Sequence, residues 1–172
     1  MDVVIKNVEI MLLRRGYLES EIKFLMKDEF DTDKPRFEIC STSNTRSSMS
    51  VFFIEKAKVS IQVFKSIIST SPYKHIMVIH AYPMTPDTLK NFNNNYKNIF
   101  FSYFFESFTF DEMSYDPIES IAPHKLVKDK PLFWNKLPII LSTDIIARYY
   151  LFTTGDVISI KEENGIIFRR CV

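Results

Sequence analysis

Residues 49–86 read MSVFFIEKAKVSIQVFKSIISTSPYKHIMVIHAYPMTP, and this stretch decides the fold. Met49–Ile54 is a short apolar run rich in β-formers, the length of a strand. Lys58–Ile68 changes period: Val59, Val63, Phe64 and Ile67 recur at helical spacing and predict a helix. His75–Ala81 is again a short apolar run, read as a buried strand. Thr85 then stands before Pro86. A threonine N-cap followed by proline at the first helical position is a specific start signal, here for a helix in PDTLKNFNNNY. Strand, helix, strand and helix in succession predict an α/β layer in which helices cover a small sheet.

Upstream, Val4, Val8, Met11 and Leu12 lie at helical spacing between Val3 and Tyr17, with Gly16 as the C-cap. Ser20 is read as the N-cap of a second helix, EIKFLMKDEF, which ends before Pro35 because proline disfavours helix in the residue ahead of it. Arg36–Thr42 reads as a strand, separated from Met49–Ile54 by the turn-rich STSNTRSS. Downstream, Asn98–Phe105 reads as a further strand, and ESFTFDEMSYDPIES breaks the alternation. We therefore divide the chain into residues 1–113 and 114–172. In the second part Pro123, Pro131 and Pro138 leave little room for helix before Leu137. Thr143 or Asp144 caps a short helix, IIARYYL, which stops at FTTGD. VISI and IIFRR then form a β-hairpin about Asn164-Gly165. The fold class expected is α+β: an N-terminal α/β domain and a small C-terminal α/β domain ending in a hairpin.

Composition narrows the function. The 172 residues carry 22 Lys+Arg against 21 Asp+Glu, a net charge of +1, so no basic excess holds nucleic acid by bulk charge. Apolar residues at 46% supply enough surface for a folded core, which excludes a disordered chain. Three glycines, Gly16, Gly155 and Gly165, cannot build a glycine-rich phosphate loop. The start, MDVVIKNVEIMLLRRGY, lacks the pattern of a secretory leader, and no apolar run approaches the ~20 residues that cross a bilayer. Cys40 and Cys171 are then read as free thiols of a reducing compartment.

Searches for chemistry point away from catalysis. Ser142, Asp144 and His124 supply triad residue types, but no strained nucleophile turn surrounds Ser142, and Ser-Thr-Asp before a helix is a capping sequence. A metal nuclease of the restriction-endonuclease type needs an aspartate and an acid-x-Lys on the next strand. The candidates Asp33, Glu38 and Glu55-Lys56-Ala57-Lys58 do not complete that unit. His75 and His80 lie five apart on one strand, hence on opposite faces, and cannot share one ion. No catalytic residue, metal site or cofactor is expected. Trp134 is either a core residue or a partner anchor, and the pairs Arg14-Arg15 and Arg169-Arg170 read as solvated faces unless they meet a partner.

Lys136–Val172, KLPIILSTDIIARYYLFTTGDVISIKEENGIIFRRCV, resembles the C-terminal signature of the RNA polymerase subunit 5 family. Eukaryotic nuclear polymerases share that subunit, and archaea have a counterpart that lacks its first domain. Leu137, Pro138 and Ile140 match the family's Leu-Pro-x-Ile. Asp144, Ala147, Arg148 and Tyr149 match its Asp-Pro-Val-Ala-Arg-Tyr, and Gly155, Asp156 and Val157 its Gly-Asp/Gln-Val. Arg169, Arg170 and Val172 match its closing Tyr-Arg-x-Val strand. The first domain is similar to the eukaryotic form through RRGY at residues 14–17, the Phe-Phe strand with its following helix, and Met84-Thr85-Pro86. The departures are equally specific. Ile145 replaces the family's proline, Leu151 its glycine after the Tyr-Tyr pair, and Thr153-Thr154 its basic pair. The last hairpin loop is cut to KEENG, and the helix that follows the family's Pro-x-His (here Pro123-His124) is mostly missing.

The resemblance implies a compact, divergent, non-catalytic subunit of a DNA-directed RNA polymerase. Its first domain would be a nuclease-like jaw without the nuclease site, beside downstream duplex DNA. Its second would dock on the largest subunit and so join the polymerase core. Thr85 and Pro86 would face the DNA weakly and within the complex, with Asp87 opposing phosphate. Asp144, Arg148, Tyr149, Arg169 and Arg170 would form the subunit interface. The implied location is the nucleus, or the virion and host cytoplasm for a virus-encoded enzyme, with no membrane partner. The rival class is a nuclease or free nucleic-acid-binding protein that uses the first domain alone.

Overall fold

The computed structural model describes residues 2–25, 37–42, 47–55, 58–88, 103–114 and 123–172. It is mixed α and β, with two mixed sheets. The chain divides into two units, Met1–Glu9 with Gly16–Ser114 and Ile10–Arg15 with Tyr115–Val172.

Helix α1 (Asp2–Arg14), whose residues are divided between the two units, buries Val4, Val8, Met11 and Leu12, the four residues its spacing singled out. Gly16 beyond it takes a positive φ of 89°. The five-stranded sheet of the first unit runs in chain order: β1 (Ile22–Phe24), β2 (Phe37–Ile39), β3 (Met49–Ile54), β4 (His75–His80) and β5 (Phe104–Thr109). β1, β2 and β3 pair antiparallel, whereas β3, β4 and β5 pair parallel. Every residue of β3 and β4 is buried, which is why both read as continuous apolar runs and not as alternating ones.

Helix α2 (Ile61–Thr70) connects β3 to β4. Ser60 caps it, its Oγ accepting from the Val63 N–H at 3.4 Å. Its inner face places Phe64 and Ile67 on Phe52, Ile54, Ile76 and Val78, and the Phe64 ring lies 4.6 Å from that of Phe105. Residues 86–88 are helical as expected, with Thr85 Oγ1 accepting from the Thr88 N–H at 3.4 Å. The rest of that helix, the end of EIKFLMKDEF, and residues 98–102 of the expected strand lie outside the described residues.

Two sequence expectations need correction. Ser20 does not start a helix. Glu19–Glu21 is a single 3-10 turn, and β1 follows at once. The reason is Glu21, whose buried carboxylate accepts from the Leu18 N–H (2.8 Å) and from both the N–H and hydroxyl of Thr42 (2.6 Å each). Those bonds fasten the turn to the chain beyond β2 and leave Ile22–Phe24 free to pair with Phe37–Ile39. The second correction concerns ESFT, which is no break: β5 runs to Thr109, and a short helix α3 (Phe110–Ser114) follows. Thr109 and Glu112 form its capping box, with bonds of 3.0 Å and 2.7 Å in the two directions.

In the second unit, β6 (His124–Leu126), β7 (Ile139–Ile140), β8 (Val157–Glu162) and β9 (Gly165–Cys171) form a sheet in the order β6-β8-β9-β7. β8 pairs antiparallel with β6 and β9, and β7 parallel with β9. Between Pro123 and Pro138 the only helical piece is a 3-10 turn, Trp134–Lys136. Helix α4 (Ile145–Tyr150) lays Ala147 on Ile158, Ile160 and Cys171, with Phe152 completing the core. The hairpin forms one residue earlier than its sequence signal suggests. Glu162 pairs with Gly165, so the loop is Glu163-Asn164, and Gly165 opens β9 with the positive φ of 139°. Cys40 is exposed, Cys171 is buried, and both are free. Among the described residues no helix is long and apolar enough to cross a membrane.

Candidate functional site

Asp144, Arg148 and Tyr149 belong to or cap α4, and Arg169 and Arg170 lie on β9. Asp144 has an extended backbone and caps the helix, its Oδ1 accepting from the Ile146 N–H at 2.8 Å. Asp144 thus starts the helix without a proline at its first position. Tyr149 is buried at 1% exposure, with the Arg14 guanidinium 6.0 Å from the centre of its ring. Burial pushes the Tyr149 phenol up to about 12, against the opposing pull of Arg14. Tyr150 stacks between His124 and Phe152 at 5.4 Å from each. Arg148, Arg169 and Arg170 are half-buried. Arg169 reaches the Ile139 carbonyl at 3.5 Å, and the Arg170 Nε is buried with no hydrogen-bond partner.

The helix ends on Leu151, at φ 60° and ψ 34°. Leu151 is the only non-glycine residue with a positive φ among the described residues. The Phe152 N–H returns to the Ala147 carbonyl (2.8 Å) and the Leu151 N–H to the Arg148 carbonyl (3.2 Å), a Schellman ending with Phe152 packed on Ala147. A β-carbon in this left-handed conformation costs about 1–2 kcal/mol. Leu151→Gly should therefore raise stability by about 1 kcal/mol, read as a higher denaturant midpoint at unchanged slope.

Arg15, read from the sequence as half of a solvated basic pair, is instead engaged within the fold. Its Nε donates to the Tyr149 carbonyl at 2.6 Å and a terminal nitrogen donates to the Arg148 carbonyl at 2.9 Å, so a guanidinium closes the C-terminal end of α4. No local signal marks a partner more than 130 positions away. Arg15→Ala leaves two carbonyls without their charged donor and should cost about 1.5–3 kcal/mol, seen in the unfolding midpoint followed through Trp134 fluorescence.

Beside α4 and the hairpin lies a cleft of about 530 Å³. Ile140, Ile146, Ile160 and Ile167 supply apolar walls, and Asp144, Glu162, Arg169 and His124 supply the polar ones.

In the first unit, Thr85 is engaged locally. Its hydroxyl lies 2.8 Å from that of the buried Thr88, while Pro86 and Asp87 are exposed. The two histidines of β4 do face opposite sides. His75 Nε2 meets Glu106 of β5 at 2.5 Å, with both residues buried. His80 Nδ1 lies 2.8 Å from the Tyr82 carbonyl, and burial lowers its pKa. Among the described residues no three His, Cys, Asp or Glu side chains gather as a metal site. No protein-family model matches the chain, and no curated protein matches it either.

Proposed function

We propose that this chain is a non-catalytic subunit of a multisubunit DNA-directed RNA polymerase. Residues 114–172 dock on the largest subunit. Residues 1–113, a nuclease-like jaw domain, stand beside downstream duplex DNA, with Thr85 and Pro86 toward it. Asp144, Arg148, Arg169 and Arg170 face the largest subunit, whereas Tyr149, expected among them, is buried and is not a contact. The place of work is the nucleus, or the virion and host cytoplasm if the polymerase is viral.

One observation carries this reading. The family pattern has a glycine immediately after Asp-x-x-Ala-Arg-Tyr-Tyr, and here the corresponding Leu151 takes the backbone conformation that glycine favours. Leu151 departs from the pattern in residue type, but its dihedral angles suit the glycine that the pattern has there. The test is affinity purification of the tagged chain with identification of co-purifying subunits. Recovery of the two largest polymerase subunits is the expected result, and recovery of neither overturns the reading.

A further inference from the structure

β9 is seven residues long, yet β7 pairs only with its last two, Arg170 and Cys171. Backbone polar groups along an antiparallel-paired strand alternate between its two sides. The Cys171 N–H donates to the Asp156 carbonyl at 2.8 Å, on the β8 side, so the odd-numbered residues of β9 bond toward β8. The Arg170 N–H donates to the Pro138 carbonyl at 2.9 Å, and the Val172 N–H to the Ile140 carbonyl at 3.0 Å, so the even-numbered residues bond on the other side. By that alternation Ile166 and Phe168 each aim an N–H and a C=O away from β8, along a stretch that β7 does not reach. Among the described residues neither has a strand partner there.

The surroundings of this open edge are apolar and acidic. Ile166 is 62% exposed, and Ile139 and Leu141 are exposed nearby in sequence to the cleft-forming Ile140. Ile167, next along β9, lines the cleft, where the acids Asp144 and Glu162 outnumber Arg169. A second copy of β9 does not fit the edge. Pairing Ile166 with Phe168 of the second copy would set that copy's Gly165 beside Arg169, in the row where Pro138 already leads into β7. The occupant is a strand that can end before Pro138. Its backbone satisfies Ile166 and Phe168, and its side chains complement an apolar, acidic wall.

We infer that an extended polypeptide segment, with apolar side chains at alternate positions and a lysine or arginine among them, adds as a strand to β9 at Ile166–Phe168. It sets one apolar side chain in the cleft and its basic group at Asp144 and Glu162. The inference rests on the polymerase reading, under which the segment belongs to the largest subunit.

The test compares capture of the largest subunit by the full-length tagged chain and its variants. Ile166→Pro removes an outward N–H while the ladder to β8 keeps its bonds, a change that edge strands tolerate. Recovery should fall by about tenfold, while Ile166→Thr, which keeps the N–H, should recover as the wild type does. Trp134 fluorescence and the thermal midpoint check that the variant is folded. Should Ile166→Pro not fold, Glu162→Arg decides, and a several-fold fall is expected from the reversed charge. Full recovery by the folded variants overturns the inference and leaves the polymerase reading standing. A wild-type chain that captures no polymerase subunit overturns both.

Discussion

Phe64→Ala should destabilise the first unit by about 3–5 kcal/mol, the range for truncating a fully buried aromatic ring. Phe64 has no exposed surface, and it packs in one cluster with Phe52, Ile54, Ile76 and Val78 of β3 and β4. Its ring lies 4.6 Å from Phe105 with the planes tilted 44°, a contact that alanine loses along with the buried area. Ile76 and Val78 beside it sit on β4, which is paired on both sides by β3 and β5, so they cannot collapse into the space. Against a typical domain stability of about 5–15 kcal/mol, the loss is a large fraction of the total. Hydrogen exchange at the β3 and β4 amides in rising urea isolates the effect to this unit. Phe64→Leu, which conserves most of the volume, should lose less than about 1.5 kcal/mol.

Glu106→Ala is expected to rank beside it, at about 3–5 kcal/mol. In the ladder His75 pairs with Phe104, and Met77 with Glu106, so the imidazole and carboxylate are diagonal neighbours on one sheet face. Both are buried and meet at 2.5 Å, and the Phe104 ring stands edge-on to the imidazole at 4.8 Å. Alanine strands His75 in an apolar layer without its carboxylate, and desolvation of the ring is then uncompensated. Glu106→Gln keeps an acceptor and should lose less. Replacing His75 and Glu106 together by leucine should cost much less than Glu106→Ala, because neither member of the pair is then left buried without the other. A double-mutant cycle on urea midpoints reads the coupling directly.

These two positions mark what is legible in a single sequence. Phe64 belongs to a periodic pattern, and periodic patterns reported the structure well. Met49–Ile54 is a strand at the expected residues, and β4 matches to within one residue. Local capping chemistry was as readable: Thr85 and Asp144 cap as their neighbours in sequence indicate. Glu106 belongs to no local pattern. It interrupts FFESFT as a charged residue, and its reason for being there is a histidine 31 positions earlier on the adjacent strand. Glu21 failed for the same cause, since its carboxylate serves Thr42 and turns an apparent helix into a turn and a strand. Arg15, bonded to the end of α4, is the extreme case. Helical and strand periods are local physics. Buried polar pairs are chosen by the tertiary fold, and only their partners explain them.

The candidate interface divides in the same way. The cap at Asp144 and the hairpin could be read from the residues, whereas the open edge of β9 depends on how little of it β7 covers. The near balance of 22 basic and 21 acidic residues suits a subunit that leaves DNA binding to a larger assembly.

The most direct test of that account is the subunit content of transcriptionally active polymerase purified from cells that make this chain. The chain should co-elute with the two largest subunits in equimolar amount through every fraction that synthesises RNA. Active fractions that lack the chain, with the chain eluting alone near its own 20.3 kDa, would contradict it.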